Sequence, residues 1–423
     1  MFEVAMAILV FLALLAISVP VSFALFMSTL TGLALVGTYP LQIVAQQSFA
    51  PTSNFLFLAI PFFILTADLL ASGKLGQTVI GLATKLVGRF RGGVGQASVA
   101  TSVVFSGVSG SAVADASGLG SVLIPWSKKV GYPGPFNAAV NASSSVIGVI
   151  LPPSIPMILF AATSGVSVAA IFLAGVIPGV FLAAAYFVVC WVVAVRNGFP
   201  RIRVKLSMRN LAKDLLLALP AILMPIIMIR VVLLGGIATV TEVAVLSAFY
   251  AILIRLLYRD ISFRGLINTL VNTAAATGVV MLLIMMSEAL SWFLTVQRAP
   301  QQITDSLLSN IGSPLVILLL INLILLVVGA FLDMSPAILL LTPVLLPIAE
   351  AIGLDPIQLG LIMILNLGIG LFTPPVGTTL YISTSIAKVP IEQTVKALLP
   401  FYAASIVVLL AVTYIPALTT FGR

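Results

Sequence analysis

Long apolar runs separated by short polar or basic stretches dominate this chain of 423 residues. Several runs exceed the ~20 residues that cross a bilayer as a helix, among them 168–195 and 266–295. Hydrophobic residues make up 61% of the chain and charged residues 8%. The pattern predicts an all-α polytopic membrane protein whose length is used for spans rather than for soluble domains.

A small, polar, glycine-rich segment, Ser106 to Ser111, interrupts one of these apolar regions. Backbone that leaves the helix at membrane depth is tolerated only where it is buried in protein or lines a site. We therefore predict a re-entrant helical hairpin over about 97–126, with this segment at its tip. The alternative is a helix–helix contact built from small residues.

A second copy of these landmarks follows in the other half of the chain at a constant separation of 222 residues (329 − 107 = 222 for the first pair below). We call this separation the repeat shift. Six pairs of Gly or Pro recur in register: Gly107 with Gly329, Pro125 with Pro347, Gly131 with Gly353, Gly148 with Gly370, Pro152 with Pro374 and Pro153 with Pro375. Ser111 falls opposite Asp333, so a second hairpin is predicted over about 313–350. Paired, interrupted hydrophobic segments at corresponding positions point to the binding site of a secondary transporter.

The repeat divides the chain into four parts. They are scaffold helices over 1–50, a first repeat over 51–195 with a broken helix at 136–165, a basic linker and scaffold helix pair over 196–257, and a second repeat over 258–423 with a broken helix at 357–387. This scheme puts every Lys and Arg except Arg230, Arg298 and Arg423 on one face. The positive-inside rule makes that face cytoplasmic and the N-terminus external. The two hairpins then enter from opposite faces, so inverted repeats are predicted.

Two connecting segments receive different interpretations. Residues 73–93 carry apolar side chains at helical spacing, which predicts a surface helix on the basic side: Leu75, Val79, Leu82 and Leu86. The stretch around Arg298, which leads to the second hairpin, is interpreted as a weakly charged loop.

Pro-Pro pairs break two of the predicted helices, at 148–153 and at 370–375. Consecutive prolines remove backbone donors and leave carbonyl groups unpaired. Carbonyl oxygens at half-helix ends suit a small hard cation such as Na⁺, so we predict two cation sites, each between a hairpin tip and a break. The predicted ligands are Ser106, Ser109, Gly148, Leu151 and Pro153 in the first site, and Gly329, Gly370, Thr373 and Val376 in the second. The alternative for each break is a simple kink that packs against a neighbouring helix.

Polar side chains near the tips are candidate substrate contacts, because hydroxyl and carboxylate groups at membrane depth are costly and mark functional positions. The candidates are Ser109, Ser111, Asp115, Ser154, Arg298 and Asp333. Asp115 and Asp333 are equally candidates for capping a half-helix or supporting a cation. For Arg298 an ordinary loop arginine is the alternative, and for a single hydroxyl it is interhelical hydrogen bonding.

Three further acids lie within apolar segments. Asp68 and Glu288 correspond at nearly the same separation as the repeat shift, and because they lie far from the tips in sequence we expect structural pairing. Glu242 follows Thr239 at the spacing of a capping box and is predicted to cap the span that starts after Gly236.

Several classes of protein are disfavoured by what the chain lacks. It has no His, its single Cys190 lies in an apolar run, and it carries neither a phosphate-binding loop nor a nucleophile elbow. An ATP-driven pump and an enzyme are therefore not expected. The net charge of +8 reports topology in a membrane protein rather than nucleic-acid binding.

Five motifs together resemble the large membrane subunit of the tripartite ATP-independent periplasmic (TRAP) transporters. They are Phe105–Asp115, Ile150–Pro156, Thr239–Glu242, Leu341–Pro347 and Gly370–Gly377. The resemblance covers nearly the whole chain, and its Na⁺-site pattern falls on Ser106, Ser109, Gly148, Gly329, Gly370 and Thr373. Arg298 lies outside these motifs.

This resemblance implies a bacterial or archaeal inner-membrane protein that imports an organic anion, such as a C4-dicarboxylate or sialic acid, with a Na⁺ gradient. It implies two partners, a small membrane subunit of about four spans and a soluble periplasmic substrate-binding protein. It also implies an elevator motion of the hairpins and broken helices past a scaffold that includes 1–50, 211–257 and parts of 168–195 and 394–418. The alternatives are a stand-alone carboxylate or ion transporter of the same architecture and a passive channel.

Overall fold

The computed structural model describes residues 2–71, 74–201, 208–229 and 238–420. Within these ranges all regular secondary structure is helical. Six helices of this part are long and apolar enough to cross a membrane, or up to eight spans if two bent helix pairs are each counted as one. The prediction of an all-α polytopic membrane protein is confirmed. Gly73, Arg230, Gly236 and Arg423, which the sequence singled out, lie outside the described residues.

The first half of the chain forms helices that begin near the N-terminus and end at the basic linker. They are α1 (Phe2–Ala16), α2 (Val21–Val36), α3 (Gln42–Phe49), α4 (Ala59–Ala71), α5 (Lys74–Val87), α6 (Gly93–Ser109), α7 (Ala112–Lys129), α8 (Gly134–Ser144), α9 (Ile147–Ile150), α10 (Ile155–Ser164) and α11 (Val168–Arg196). Two 3-10 turns, Ala50–Ser53 and Phe55–Leu58, lead into α4. The unbroken span predicted over 168–195 is α11, which continues through Pro178.

The second half repeats this order after the linker. Its helices are α12 (Met208–Ile229), α13 (Val240–Leu257), α14 (Phe263–Val296), α15 (Ala299–Asn310), α16 (Pro314–Phe331), α17 (Met334–Ala351), α18 (Pro356–Leu371), α19 (Thr378–Ala387) and α20 (Ile391–Tyr414). A 3-10 turn, Pro416–Leu418, ends the described chain.

The repeat shift also relates the boundaries of the helices. When the repeat shift is added to the bounds of α7, the result is the bounds of α17. The same addition to the first residues of α6, α8, α10 and α11 gives the first residues of α16, α18, α19 and α20 to within one residue. Each half thus contains a helix–tip–helix pair followed by a broken helix. The first pair spans 93–129, a few residues more at each end than predicted, and the second spans 314–351, within one residue of the prediction. Because α16 and α17 are each long enough to cross a membrane, the re-entrant character and opposite entry of the hairpins stay predictions.

The interpretation of the stretch around Arg298 as a loop is wrong beyond Arg298 itself. Arg298 has a left-handed backbone (φ 53°) and is the N-cap of α15, and Pro300 follows in the first turn, where proline is well tolerated. When the repeat shift is applied to the surface helix α5, it falls on 296–309, which nearly coincides with α15. The repeat therefore contained the signal for this helix.

Packing crosses between the two repeats. The helix α2 packs against α14, and its counterpart α13 packs against α4. The second helix of the first hairpin, α7, packs against α19 of the second repeat, and α17 packs against α10 of the first. At the end of α7, the Lys128 ammonium donates a hydrogen bond to the Ala387 carbonyl that ends α19. Each hairpin is thus held by a half-helix of the other repeat.

The helix α5 joins the first hairpin to the scaffold. Leu75, Val79 and Leu82 are buried against α6 and α12, as an amphipathic helix requires, whereas Leu86 is exposed. The Lys85 ammonium forms an ion pair with Asp214 of α12. The prediction of a surface helix over 73–93 is therefore matched by α5.

A capping box begins α13, as the sequence predicted for Glu242. The Glu242 backbone N–H donates to Thr239 Oγ1 at 3.3 Å, and the Thr239 N–H donates to Glu242 Oε2 at 2.7 Å. Two donors that helix formation leaves unpaired are satisfied in this way.

Substitution Thr239→Ala removes this cap, so we expect a loss of about 1 kcal/mol in the free energy of unfolding and a thermal midpoint lower by about 1–2 °C. Thermal unfolding of the detergent-purified protein measures it. Thr31→Ala is the matched control, because Thr31 lies within α2 and its hydroxyl only bonds the Met27 carbonyl one turn earlier. An equal shift in both variants would contradict the capping role.

Candidate functional site

The tip of the first hairpin meets the first helix break through its backbone. Gly110 ends α6 with a left-handed backbone (φ 59°), and a Cβ there would lie 2.8 Å from the Pro153 carbonyl oxygen. The Gly110 carbonyl accepts a hydrogen bond from the Ile155 N–H at 3.3 Å. Ser111 then starts α7, since its Oγ accepts from the Ala114 N–H at 3.4 Å. Glycine is needed at the tip both for its conformation and for this close approach.

The first break separates α9 from α10 and is closed by Ser154. Its hydroxyl donates to the Val149 carbonyl at 2.5 Å and accepts from the Met157 N–H at 3.3 Å. Ser154 is completely buried. Its hydroxyl thus serves as the N-cap of α10, and because Ser154 is not part of the lining of the cavities described below, the predicted substrate contact gains no support.

Behind the tip, two buried oxygen atoms, Ser109 Oγ and Asp115 Oδ2, lie near each other and have no other hydrogen-bond partner within the described structure. Both face Gly148, where a Cβ would lie 2.5 Å from Asp115 Oδ2 and 3.6 Å from Ser109 Oγ. The side chains are 2% and 3% exposed. Buried oxygens without a full set of partners are costly in a protein interior, and these two are the acceptor groups that the first tip and the first break bring together.

Ser106 and Leu151 complete the surroundings that the sequence predicted for the first site. Ser106 lies one turn before Ser109 on α6, is buried, and donates its hydroxyl to the Val103 carbonyl at 2.6 Å, so its oxygen lone pairs still accept. Leu151 is the extended residue that ends α9 (ψ 138°). The structure therefore brings the predicted ligands of the first repeat to one tip and one break.

The second repeat forms the same junction with different contacts. The Val376 N–H donates to the Ala330 carbonyl at 3.2 Å, and a Cβ on Gly370 would lie 2.7 Å from the Gly329 Cα. The Thr373 hydroxyl donates to the Ile369 carbonyl at 2.7 Å. Because both helices have glycine at this point, the backbones of α16 and α18 are in direct contact. The peptide bond between the two prolines is cis in both breaks.

Each hairpin is also joined to the broken helix of its own repeat by a buried polar contact. Ser102 of α6 donates to Ser144 of α8 at 3.1 Å. In the second repeat, Asn366 of α18 donates to Asn322 of α16 at 2.8 Å. Asn366 Oδ1 and Thr378 Oγ1 are among the buried oxygens of this half that have no partner within the described structure.

The two repeats differ at the carboxylates. Asp333 occupies the N-cap position of α17, as Ser111 does for α7, but its side chain makes no capping hydrogen bond. Asp115 corresponds to Ala337. Capping, one of the three roles left open for Asp115, is thus taken by Ser111, and Asp115 lies at the first break instead.

The two tips face a chamber closed on the other side by α4 and α14. It consists of adjoining cavities of about 420 and 380 Å³ that share five lining residues: Ala67, Asp68, Ser109, Ala114 and Asn272. The smaller cavity is lined by both tips, including Ser111, Asp333 and Ser335. Volumes of this size suit a small organic molecule.

The larger cavity continues from the tips towards the basic end of α7. Part of its polar lining was not singled out by the sequence: Gln77, Ser117, Ser121, Thr269 and Asn272. The recurrence of Ala114, Ser117, Gly118 and Ser121 at helical spacing on α7 was the available signal. Asp68, for which structural pairing was expected, lines both cavities.

Arg298 is placed elsewhere. It is exposed at the N-cap of α15 and is not part of the lining of either cavity. The predicted substrate contact by Arg298 therefore gains no support from this arrangement.

Comparison with known families identifies the arrangement. A model of the family described as the tripartite ATP-independent periplasmic transporter, DctM component, matches residues 8–418. The chain belongs to this family. It is a large (M) subunit of a TRAP transporter, as the motifs indicated.

Two relatives and one solved structure show the extent of the similarity. The sialic acid TRAP transporter large permease protein SiaM of Vibrio cholerae is 36% identical, over 96% of this chain and 95% of its own. The 2,3-diketo-L-gulonate TRAP transporter large permease protein YiaN of Escherichia coli is 33% identical over 98% of both. The YdaH transporter of Alcanivorax borkumensis has the same fold, with a TM-score of 0.59 at 13% identity over 92% of this chain and 90% of its own.

Substitution Gly370→Ala forces a methyl group into the Gly329 backbone, so we expect a destabilisation of about 1–3 kcal/mol and a corresponding fall in the thermal midpoint. Gly278→Ala is the matched control, because Gly278 lies within α14 with no atom within 4 Å of its added Cβ. Alanine there should be neutral or stabilising. A normal midpoint for Gly370→Ala would mean that α16 and α18 do not touch as described.

Proposed function

We propose that this chain is the membrane subunit through which a Na⁺ gradient drives the import of an organic anion delivered by a periplasmic binding protein. The observation that carries the proposal is the pair of tip–break junctions, with the buried Ser109 and Asp115 oxygens facing Gly148 at the first. Family membership and the names of the two relatives, which carry organic acids, support it.

The first cation site is proposed to use the Ser109 hydroxyl and the Asp115 carboxylate with oxygens of Ser106, Gly148, Leu151 and Pro153. Hydroxyl, carboxylate and carbonyl oxygens are the ligands that hard cations take. The second site is proposed at Gly329, Gly370, Thr373 and Val376. It contains no carboxylate in this set, so the first site binds its cation with the stronger electrostatic attraction.

The proposed cation and substrate sites share Ser109, and this shared residue couples cation binding to substrate binding. Ser109 lines the substrate chamber and also faces Gly148 at the break. A cation there fixes the tip that the substrate contacts, so each ligand raises the affinity for the other by the same factor.

The proposed motion is an elevator step of the two hairpins and broken helices past α4, α14 and the scaffold. The reciprocal packing of α7 on α19 and α17 on α10 supports a single moving body. The proposed setting is a prokaryotic inner membrane with the N-terminus in the periplasm. The proposed partners are a small membrane subunit of about four spans and the soluble substrate-binding protein, both characteristic of the tripartite family.

Reconstitution into liposomes with these two partners tests the proposal. Uptake of a radiolabelled organic acid should require both an inward Na⁺ gradient and the binding protein, and Ser109→Ala should reduce it at least about tenfold. Ser98→Ala, on the same helix away from the tip, is the matched control and should retain uptake. Uptake of free acid without the binding protein would favour a stand-alone transporter, and equilibration that ignores the gradient would favour a channel.

Substitution Asp115→Asn removes a negative charge from the first cation site while it preserves the shape of the side chain. We expect the Na⁺ concentration for half-maximal uptake to rise at least about tenfold, equivalent to about 1.4 kcal/mol of cation binding. Asp214→Asn, which only breaks the partly exposed pair with Lys85, should leave that concentration unchanged. Equal Na⁺ dependence in Asp115→Asn and the parent would remove Asp115 from the cation site.

A further inference from the structure

The charged side chains that line the substrate chamber in the described structure are all acidic. Three carboxylates line it: Asp68, Asp115 and Asp333. Among the described residues that line the two cavities, none is Lys or Arg. A chamber for an anion therefore offers negative side chains and no positive one in this lining, so the position of the anionic group is restricted.

The start of α7 is the position that suits the anionic group. Its N-cap is the uncharged Ser111, and the N–H groups of Ala112 and Val113 at the first turn belong to residues that line the smaller cavity. Helix N-termini carry a partial positive charge, and the proposed cation lies just behind, at Ser109 and Gly148. The start of α17 is less suitable, because the Asp333 carboxylate occupies its N-cap position.

The remainder of the substrate then faces Asp68 and Asn272 on the scaffold side and Asp333 on the second tip. A carboxylate oxygen accepts hydrogen bonds and does not donate them, so the groups opposite Asp68 and Asp333 must be donors. A second carboxylate of the substrate would meet like charges at short range. Such repulsion is a common way to reject a wrong ligand.

We propose that the cargo is an acid with a single anionic group and several hydroxyl groups, with the anionic group at the start of α7 and the hydroxyls on Asp68, Asn272 and Asp333. The inference rests on the proposed function, whose substrate class it narrows. Dicarboxylates are excluded from this class by the charge of Asp68 and Asp333. The cavities, of about 420 and 380 Å³, accommodate acids of four carbons and more.

The cysteine content of the chain permits a direct test. Cys190 is the single cysteine and is completely buried, so the parental chain should resist a maleimide reagent. Ser117→Cys introduces a thiol at an exposed position on the chamber wall. Lys213→Cys, exposed on α12 outside the chamber lining, is the control. The rate of labelling is measured in membranes that contain the complete transporter, with Na⁺ present.

The ligands are matched pairs that differ by one group at the end of the carbon chain. Threonate and gluconate have one carboxylate, whereas tartrate and glucarate have the same chain with a carboxylate at both ends. Hexanoate has one carboxylate and no hydroxyl. We expect the two monoacids to slow labelling of Ser117→Cys at concentrations at least about tenfold lower than their diacids or hexanoate, and no ligand to affect Lys213→Cys.

Asp68 supplies the decisive variant. In Ser117→Cys carrying Asp68→Asn, the advantage of the monoacids over the diacids should fall to about threefold or less, because one of the two opposing charges is gone. Asp68→Glu retains the charge and should retain the preference. This pair separates the effect of charge from a loss of folding.

Diacids that protect as well as the monoacids, hexanoate that protects as well as gluconate, or no protection by any of the monoacids would each overturn the inference. Na⁺-driven uptake with equal protection by diacids overturns the substrate class and leaves the proposed function intact. Protection by monoacids without any Na⁺-driven uptake contradicts the proposed function and leaves the chamber's ligand class standing.

Discussion

The structure depends on one constraint: a backbone N–H or C=O group within a membrane needs a partner, since hydrocarbon provides none. Helices satisfy this need along most of the described chain, and the two tips and two breaks are departures from them. There the chain meets itself, through Gly110 against Ile155 and Val376 against Ala330. At the first of these junctions the Ser109 and Asp115 oxygens lie beside the break, facing Gly148. The candidate functional site therefore lies where the chain departs from regular helix.

The two repeats share the geometry of their tips and breaks, and they differ in the side chains placed there. Both halves contain a tip, a break and a polar contact between hairpin and broken helix, formed by Ser102 with Ser144 and by Asn322 with Asn366. Only the first half places a carboxylate, Asp115, behind its tip. The two proposed cation sites are therefore unequal although their frame is symmetric, since the ligands proposed for the second are backbone and hydroxyl oxygens alone.

Much of the fold was predictable because its signals are local. Apolar runs, the Pro-Pro breaks and the repeat shift predicted the helices, and Thr239 with Glu242 predicted a capping box. The chamber was less predictable, because Asp68, Asn272 and Ser117 come from three helices whose packing no local pattern encodes. Ser154 was assigned to substrate because it lies near a break, and the structure adds a local role that the sequence reasoning did not consider, since its hydroxyl caps the first turn of the next helix. The helix α15 was missed although its copy, α5, had been recognised.

The crossed packing of the repeats has a consequence for the synthesis of the protein. The helix α7 is made before α19, its packing partner, by more than half of the chain's length. At a translation rate of about 5–20 residues per second, the face of α7 that α19 later covers waits for tens of seconds, and so does the face of α10 that awaits α17. Neither repeat completes its own packing during this interval. Membrane lipid or an insertion factor must shield both faces until the second repeat emerges.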